Sequence, residues 1–141
     1  MKLIPRSIAG RLVFALGAFA LCMGIYGLLY PAAQLRMMGF ESVGTRAAGD
    51  YTATLMTITG LATVNTALLY LMGSVKEWPG FFTFAVVSRL LMGIGLAVLA
   101  VRGLAPGTFI GAAAWEWLGA ILIATARIWD TRKARGRTAP Q

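Results

Sequence analysis

An all-α integral-membrane bundle of four helices is the fold class this sequence predicts, and three observations carry the prediction. Of the 141 residues, 58% are hydrophobic and only 13% are charged, with a mean hydropathy of +0.73. A soluble domain of that size could not cover so much apolar surface with so few charges. Four apolar stretches, Leu12–Tyr30, Tyr51–Met72, Pro79–Val101 and Gly107–Trp129, each reach the roughly 20 residues that cross about 30 Å of hydrocarbon. Backbone groups in lipid must be satisfied within each span, so the spans are helices and four of them make a bundle. Residues 1–130 form one transmembrane domain, and the basic segment 131–141, with its Gly, Pro and charges, reads as a disordered tail.

The first span follows Lys2, Arg6 and Arg11, which resemble the basic region of a secretory signal. The apolar run behind them outlasts the roughly 7–15 residues of a signal core, and no small-x-small cleavage site follows, so a retained span is expected. Within it Gly17, Ala20, Gly24 and Gly27 fall on one stripe, where a neighbouring helix can approach closely. Pro31 ends the span, because the residue before a proline is biased away from helix. The connection that follows mixes Leu35, Met37, Met38 and Phe40 with Arg36, Glu41 and Arg46. That mixture suits a short interfacial helix or turn, placed to cover the outer end of the bundle.

Asp50 stands at the start of the second span, where a carboxylate caps free N–H groups and complements the helix dipole. Arg46 lies four residues earlier and within pairing reach. Thr52, Thr59, Thr63 and Thr66 share a stripe of this helix, with Asn65 beside it. Two readings of the stripe stand side by side. The hydroxyls bond carbonyls one turn back and the small residues favour packing, or the stripe is the polar wall of a cavity.

The third and fourth spans each carry a charge near the middle, Arg89 and Glu116. A lone charge at that depth costs on the order of 2.5–3.5 kcal/mol even on the lenient insertion scale. Ala85 and Gly93 flank Arg89 by one turn, while Ala112, Ala113, Gly119 and Ala120 surround Glu116. Small-residue faces of this kind point into a bundle. Counted from the opposite ends Pro79 and Gly107, the charges lie about 15 Å and about 13.5 Å deep at 1.5 Å per residue. In a core of about 30 Å those depths match, so an Arg89–Glu116 contact is expected. Trp115 and Trp117 flank Glu116.

Charge outside the spans gives an orientation. One side collects Lys2, Arg6, Arg11, Lys76, Arg127, Arg132, Lys133, Arg135 and Arg137, and the other only Arg36, Arg46 and Arg102. The excess places both termini in the cytoplasm by the positive-inside rule. Trp78 and Trp129 at the inner boundary, and Tyr26, Tyr30 and Tyr51 at the outer one, form matching aromatic belts. The net charge of +8 is explained by topology and by attraction to anionic membrane lipids. No recognised nucleic-acid motif accompanies it, and no nucleic-acid partner is expected.

Missing residue types narrow the chemistry. The chain has no histidine, which excludes His-ligated haem, His-metal sites and Ser-His-Asp catalysis. Its one cysteine, Cys22, cannot form an internal disulfide and reads as a packing residue. All three lysines, Lys2, Lys76 and Lys133, lie outside the spans, so no Schiff base forms within the bundle. No glycine-rich phosphate loop with a following lysine is present. Neither a cofactor nor a metal is expected.

A first span ending in Tyr30-Pro31, a loop closing on Met38-Gly39-Phe40, and Thr45-Arg46-Ala47-Ala48-Gly49-Asp50 opening the second span resemble the DoxX-like group of small four-helix bacterial membrane proteins. The resemblance covers about the first half of the chain. It implies the four-helix fold and a multi-pass protein of the bacterial inner membrane, without a catalytic signature. The plan of intramembrane acids beside tryptophans is also similar to that of four-helix sterol isomerase and sigma-2-like proteins. Their isomerase chemistry uses a histidine that this chain lacks, so Glu116 corresponds by analogy alone.

The preferred functional expectation is binding of a hydrophobic small molecule, with or without its transformation. Glu116, Asp50 and Arg89 are the candidate catalytic residues, suited to proton transfer of the isomerase, cyclase or epoxide-opening type rather than to redox chemistry. Trp115, Trp117, Asn65, Thr59 and Arg46 are the candidate ligand-binding residues. The alternatives are a non-catalytic accessory or assembly subunit of a larger membrane complex, and a proton-coupled small transporter acting as a homo-oligomer.

Overall fold

The computed structural model describes residues 4–41 and 47–137. Arg46, one of the expected ligand-binding residues, lies outside the described residues, as does Lys2. The fold is all-helical: α1 (Ile8–Leu29), α2 (Pro31–Met37), α3 (Thr52–Lys76), α4 (Phe81–Val101) and α5 (Thr108–Arg137). The four long helices are apolar and long enough to cross a membrane, and only 17–28% of each apolar window is buried inside the bundle. The rest of that apolar surface faces outward, as lipid contact requires.

The helices begin and end for identifiable reasons. Ser7 caps α1, its Oγ accepting from Gly10 N–H at 3.0 Å, and Pro31 stops α1 and opens α2 at the position where a missing N–H is harmless. The expected interfacial segment is thus partly the short helix α2, whose Leu35 is buried. Beyond it Thr108 Oγ1 donates to Met38 O at 2.6 Å and Phe40 packs edge-on against Phe109 at 5.6 Å, which ties this connection to the start of α5. Ahead of α3, Asp50 Oδ1 accepts from Thr52 N–H at 2.9 Å. At the end of α4, Gly103 turns left-handed (φ 69°) while Leu104 N–H reaches Leu99 O at 2.9 Å, closing the helix as glycine-terminated helices do.

Three boundaries differ from expectation. α1 and α3 extend past the apolar stretches to Ile8 and Lys76, because a helix is not obliged to stop where the hydrocarbon does. α5 runs through Arg137, into the segment expected to be a disordered tail. Arg132, Lys133, Ala134 and Arg135 are strong helix formers, and Asp130 anchors this stretch to α1.

That anchor is one half of a clasp on the start of α1. Asp130 Oδ1 and Oδ2 accept from Ile8 N–H (3.2 Å) and Ala9 N–H (2.9 Å). Glu77 Oε1 accepts from Arg6 N–H (3.1 Å) and Ser7 N–H (2.8 Å). The free donors at the start of α1 are therefore satisfied by acids from the ends of α3 and α5. Glu77 adopts φ 48°, an uncommon left-handed conformation for a residue other than glycine, and these bonds hold it there. Burial works to raise the Glu77 carboxyl, but hydrogen bonds from Ser7 and Arg6 outweigh it and keep the group below its ordinary value.

The helices stand in the order α3, α1, α5, α4. α1 packs most closely on α3, α4 on α5, and α1 joins the two hairpins through α5, whereas α3 and α4 barely touch. The stripe of small residues in α1 divides its work. Gly24 and Gly60 bring the backbones of α1 and α3 together: a Cβ on Gly24 would stand 3.0 Å from Val64 N and 3.3 Å from Gly60 O. Gly27 instead admits the Gln34 side chain of α2. A packed core of Ala9, Val13, Tyr70, Phe81, Phe82, Ala85 and Ile123 fills the end of the bundle that carries Glu77 and Asp130. Cys22 is exposed on the outer surface of α1, so it faces away from the bundle and does not serve its interior packing.

Candidate functional site

Beyond the packed end, α3 and α4 diverge. They meet where Tyr70 packs edge-on against Phe81 at 5.7 Å and the Tyr70 hydroxyl approaches Ser88 Oγ at 3.1 Å. Above this contact lies a cavity of about 410 Å³, walled by Thr59, Ala62, Thr63, Thr66, Ala67 and Tyr70 of α3, Ser88, Arg89 and Met92 of α4, Ala20 of α1 and Glu116 of α5. The volume lies within the range of small-molecule sites.

Helical register places the two charges in its wall. On α4 the buried positions Phe82, Ala85, Arg89 and Gly93 recur at helical spacing and form the inward stripe. On α5 the buried positions Phe109, Ala113, Ala120 and Ile123 recur with Glu116 occupying the step between Ala113 and Ala120. Both charges therefore stand where the pattern calls for a core residue. Arg89 Nη1 donates to Glu116 Oε2 at 3.0 Å, which meets the expectation drawn from their depths. Gly119 gives the guanidinium its room, since a Cβ there would lie 2.7 Å from Arg89 Nη1. The Arg89 guanidinium also stands 5.8 Å from the centre of the Tyr70 ring, a cation–π distance.

The pair is joined at one point and is not a two-pronged fork. Arg89 Nε is buried without an acceptor, and Glu116 Oε1 takes no hydrogen bond among the described residues. The Arg89 side chain is 10% exposed and that of Glu116 is 22% exposed, the latter toward the cavity it lines. The pair is thus accessible from one side.

The threonine stripe satisfies both of its readings. Thr59 Oγ1 bonds Leu55 O (2.9 Å) and Thr63 Oγ1 bonds Thr59 O (2.8 Å), yet both residues also line the cavity, and Thr66 does so with no hydrogen bond among the described residues. Thr52 leaves the stripe to bond Asp50 at 2.5 Å.

Of the expected site residues, the structure brings Arg89, Glu116 and Thr59 together and separates the others. Asp50 sits exposed at the start of α3, outside the cavity, where it organises the helix terminus. Trp115 is 46% exposed and leans on Phe19 at 5.9 Å. Trp117 lies against Gly93. Both indoles flank Glu116 in sequence, and at 100° per residue neither shares its face: Trp117 packs into the α4–α5 contact, and neither lines the cavity. Asn65 is exposed and points away from the cavity for the same reason, being one step out of register with Thr63 and Thr66. Tyr70 and Ser88 were not anticipated. Their signal was present: Tyr70 continues the Thr59, Thr63, Thr66 spacing, and Ser88 adjoins Arg89.

No protein-family model, curated protein or solved structure matches this chain. The class of protein is defined by its fold alone, as an all-helical bundle with four membrane-length helices.

Proposed function

We propose that this protein binds a lipophilic small molecule bearing one polar group, and that Glu116 exchanges a proton with that group. The carrying observation is that the Arg89–Glu116 pair stands in the wall of a cavity rather than in sealed packing. A pair serving only helix register has no need of a 410 Å³ space beside it. Buried polar atoms are nearly always partnered in folded proteins, and Arg89 Nε is buried without a partner, while Glu116 Oε1, open to the cavity, takes no hydrogen bond among the described residues. Because the two charges neutralise each other, the site favours a neutral hydroxyl or carbonyl over a full anion, which would leave an uncompensated charge. The α3–α4 cleft offers the molecule a route from the lipid. In the chemical form of the proposal, Arg89 orients the polar group while Glu116 takes one proton from the ligand and returns one elsewhere on it. The result is an isomerisation with no net redox change.

Glu116→Gln tests this reading, because it keeps shape and removes the titratable proton. The expected result is a folded protein that retains a copurifying lipophile by mass spectrometry but turns it over roughly 10²-fold more slowly, the usual share of a general acid or base. Unchanged turnover would end the proton-transfer reading. Absence of any lipophile from wild-type protein extracted under mild conditions would end the binding one.

We further propose the bacterial inner membrane as its location, with both termini cytoplasmic, on the strength of the basic bias and the tryptophans at the Glu77–Asp130 end. A reporter fused after Gln141 that reads periplasmic would overturn the orientation.

A further inference from the structure

Asn65 is the most discordant residue on the outer surface. It sits near the middle of α3 (Thr52–Lys76), exposed, with no hydrogen-bond partner among the described residues. The residues inside the bundle, Met56, Gly60, Ala67 and Ser74, define the opposite side of this helix. A bare carboxamide at mid-membrane has no water to bond, so it is costly unless another polar group meets it.

Its surroundings supply a pattern. Ile58, Leu61, Leu68 and Met72 are 56%, 56%, 46% and 57% exposed. With Asn65 they fall at steps of three and four, giving Ile58–Leu61–Asn65–Leu68–Met72 the alternating spacing of a two-stranded coiled-coil seam. In such seams a β-branched residue and a leucine occupy the two core positions, and one central asparagine pairs across the interface and sets register. At 100° per residue these five positions span about 80° of the α3 surface, a stripe narrow enough for one partner helix.

We propose that α3 is a homodimerisation helix, packing in parallel on α3 of a second copy with Asn65 bonded to Asn65 across a two-fold axis along the membrane normal. A second copy is favoured because a carboxamide carries both donor and acceptor and so satisfies its own twin. A two-fold along the normal also sets the two Asn65 side chains at equal depth without further adjustment. The seam lies well around α3 from Thr59, Thr63 and Thr66, so dimerisation leaves the cavity and its cleft open to lipid. The proposal does not depend on what the cavity binds.

The experiment is oxidative cross-linking in native membranes on a Cys22→Ser background, with single cysteines along α3 and Asn65 kept. Leu61→Cys and Leu68→Cys should give a disulfide-linked dimer of this chain, and Leu55→Cys, off the seam, should not. Asn65→Val should weaken self-association, read by energy transfer between labelled copies in vesicles, by roughly 3- to 30-fold. Because every substituted position is exposed, the folded bundle should survive each change. Equal cross-linking on and off the seam, cross-links only to a different protein, or unchanged association of Asn65→Val would each overturn the proposal.

Discussion

The two halves of this bundle are built from the same four long helices and end in opposite states. Around Ala9, Val13, Phe81, Phe82 and Ile123 the helices close on one another, and Glu77 and Asp130 tie three chain segments together. Half-way along, α3 and α4 part and leave a cavity whose apolar wall is mostly Ala20, Ala62 and Ala67. Hydrophobicity does not distinguish the two regions. In lipid there is no hydrophobic drive between helices, so closure depends on steric fit and polar contacts. The closed end has phenylalanines set into glycine, as where Phe81 fills the space beside Gly73. The open region sets Ala62 and Ala67 of α3 across a gap from Ser88 and Met92 of α4, with the Arg89–Glu116 pair joining α4 to α5 at its edge.

The largest expected effect comes from that pair. Arg89→Ala and Glu116→Ala should each destabilise the bundle by about 3 kcal/mol, the lower end for a broken buried pair because one side faces a cavity. The double variant should lose less than the sum of the two, measured by unfolding in mixed micelles. Strict additivity would mean that the open region is not held by the pair at all.

A smaller effect separates the regions by packing. Ile123 is fully buried, and Ile123→Ala should cost about 1–2 kcal/mol. That is less than the roughly 2–5 kcal/mol of a soluble core, because the unfolded reference still sits in lipid and only the cavity contribution remains. Met92 lines the open space, and Met92→Ala should change stability by no more than about 0.5 kcal/mol. Equal losses from the two would erase the distinction between a packed end and an open middle.

The smallest effect is acid sensitivity at the closed end. Because the Glu77 carboxyl is held below its ordinary value of 4.5, the stability it contributes is present above that value and is lost as pH falls through the lower, folded-state value. Wild type should therefore weaken below about pH 4.5, and Glu77→Gln should be weaker at neutral pH and flatter through that range. Parallel pH curves for the two proteins would remove Glu77 from the clasp.

The open region was more legible in the sequence than the closed one. Arg89 and Glu116 announced themselves because charge is rare and costly within a span, and depth along two helices could be counted. The threonine stripe was visible as spacing. Trp115, Trp117 and Asn65 were grouped with them by proximity along the chain, and one or two residues of helical rotation turned them elsewhere, while Asp50 stands ahead of α3, at the helix start and outside the cavity. The clasp left no comparable trace. Asp130 closes the segment read as the transmembrane domain, and nothing in its neighbourhood points to Ala9, which lies 121 residues away. Contacts of that kind depend on how helices cross, and periodicity along one helix carries no information about crossing.

That same separation has a consequence for how the chain assembles. At about 5–20 residues per second, Asp130 leaves the ribosome roughly 6–24 seconds after Ala9, and until then the start of α1 has Glu77 but lacks the second carboxylate that secures it. The first of these four helices to be made is thus the last to be fully locked, after the closely packed pairs α1–α3 and α4–α5 have their chain in hand. The C-terminal acid is the latch that commits them to one molecule.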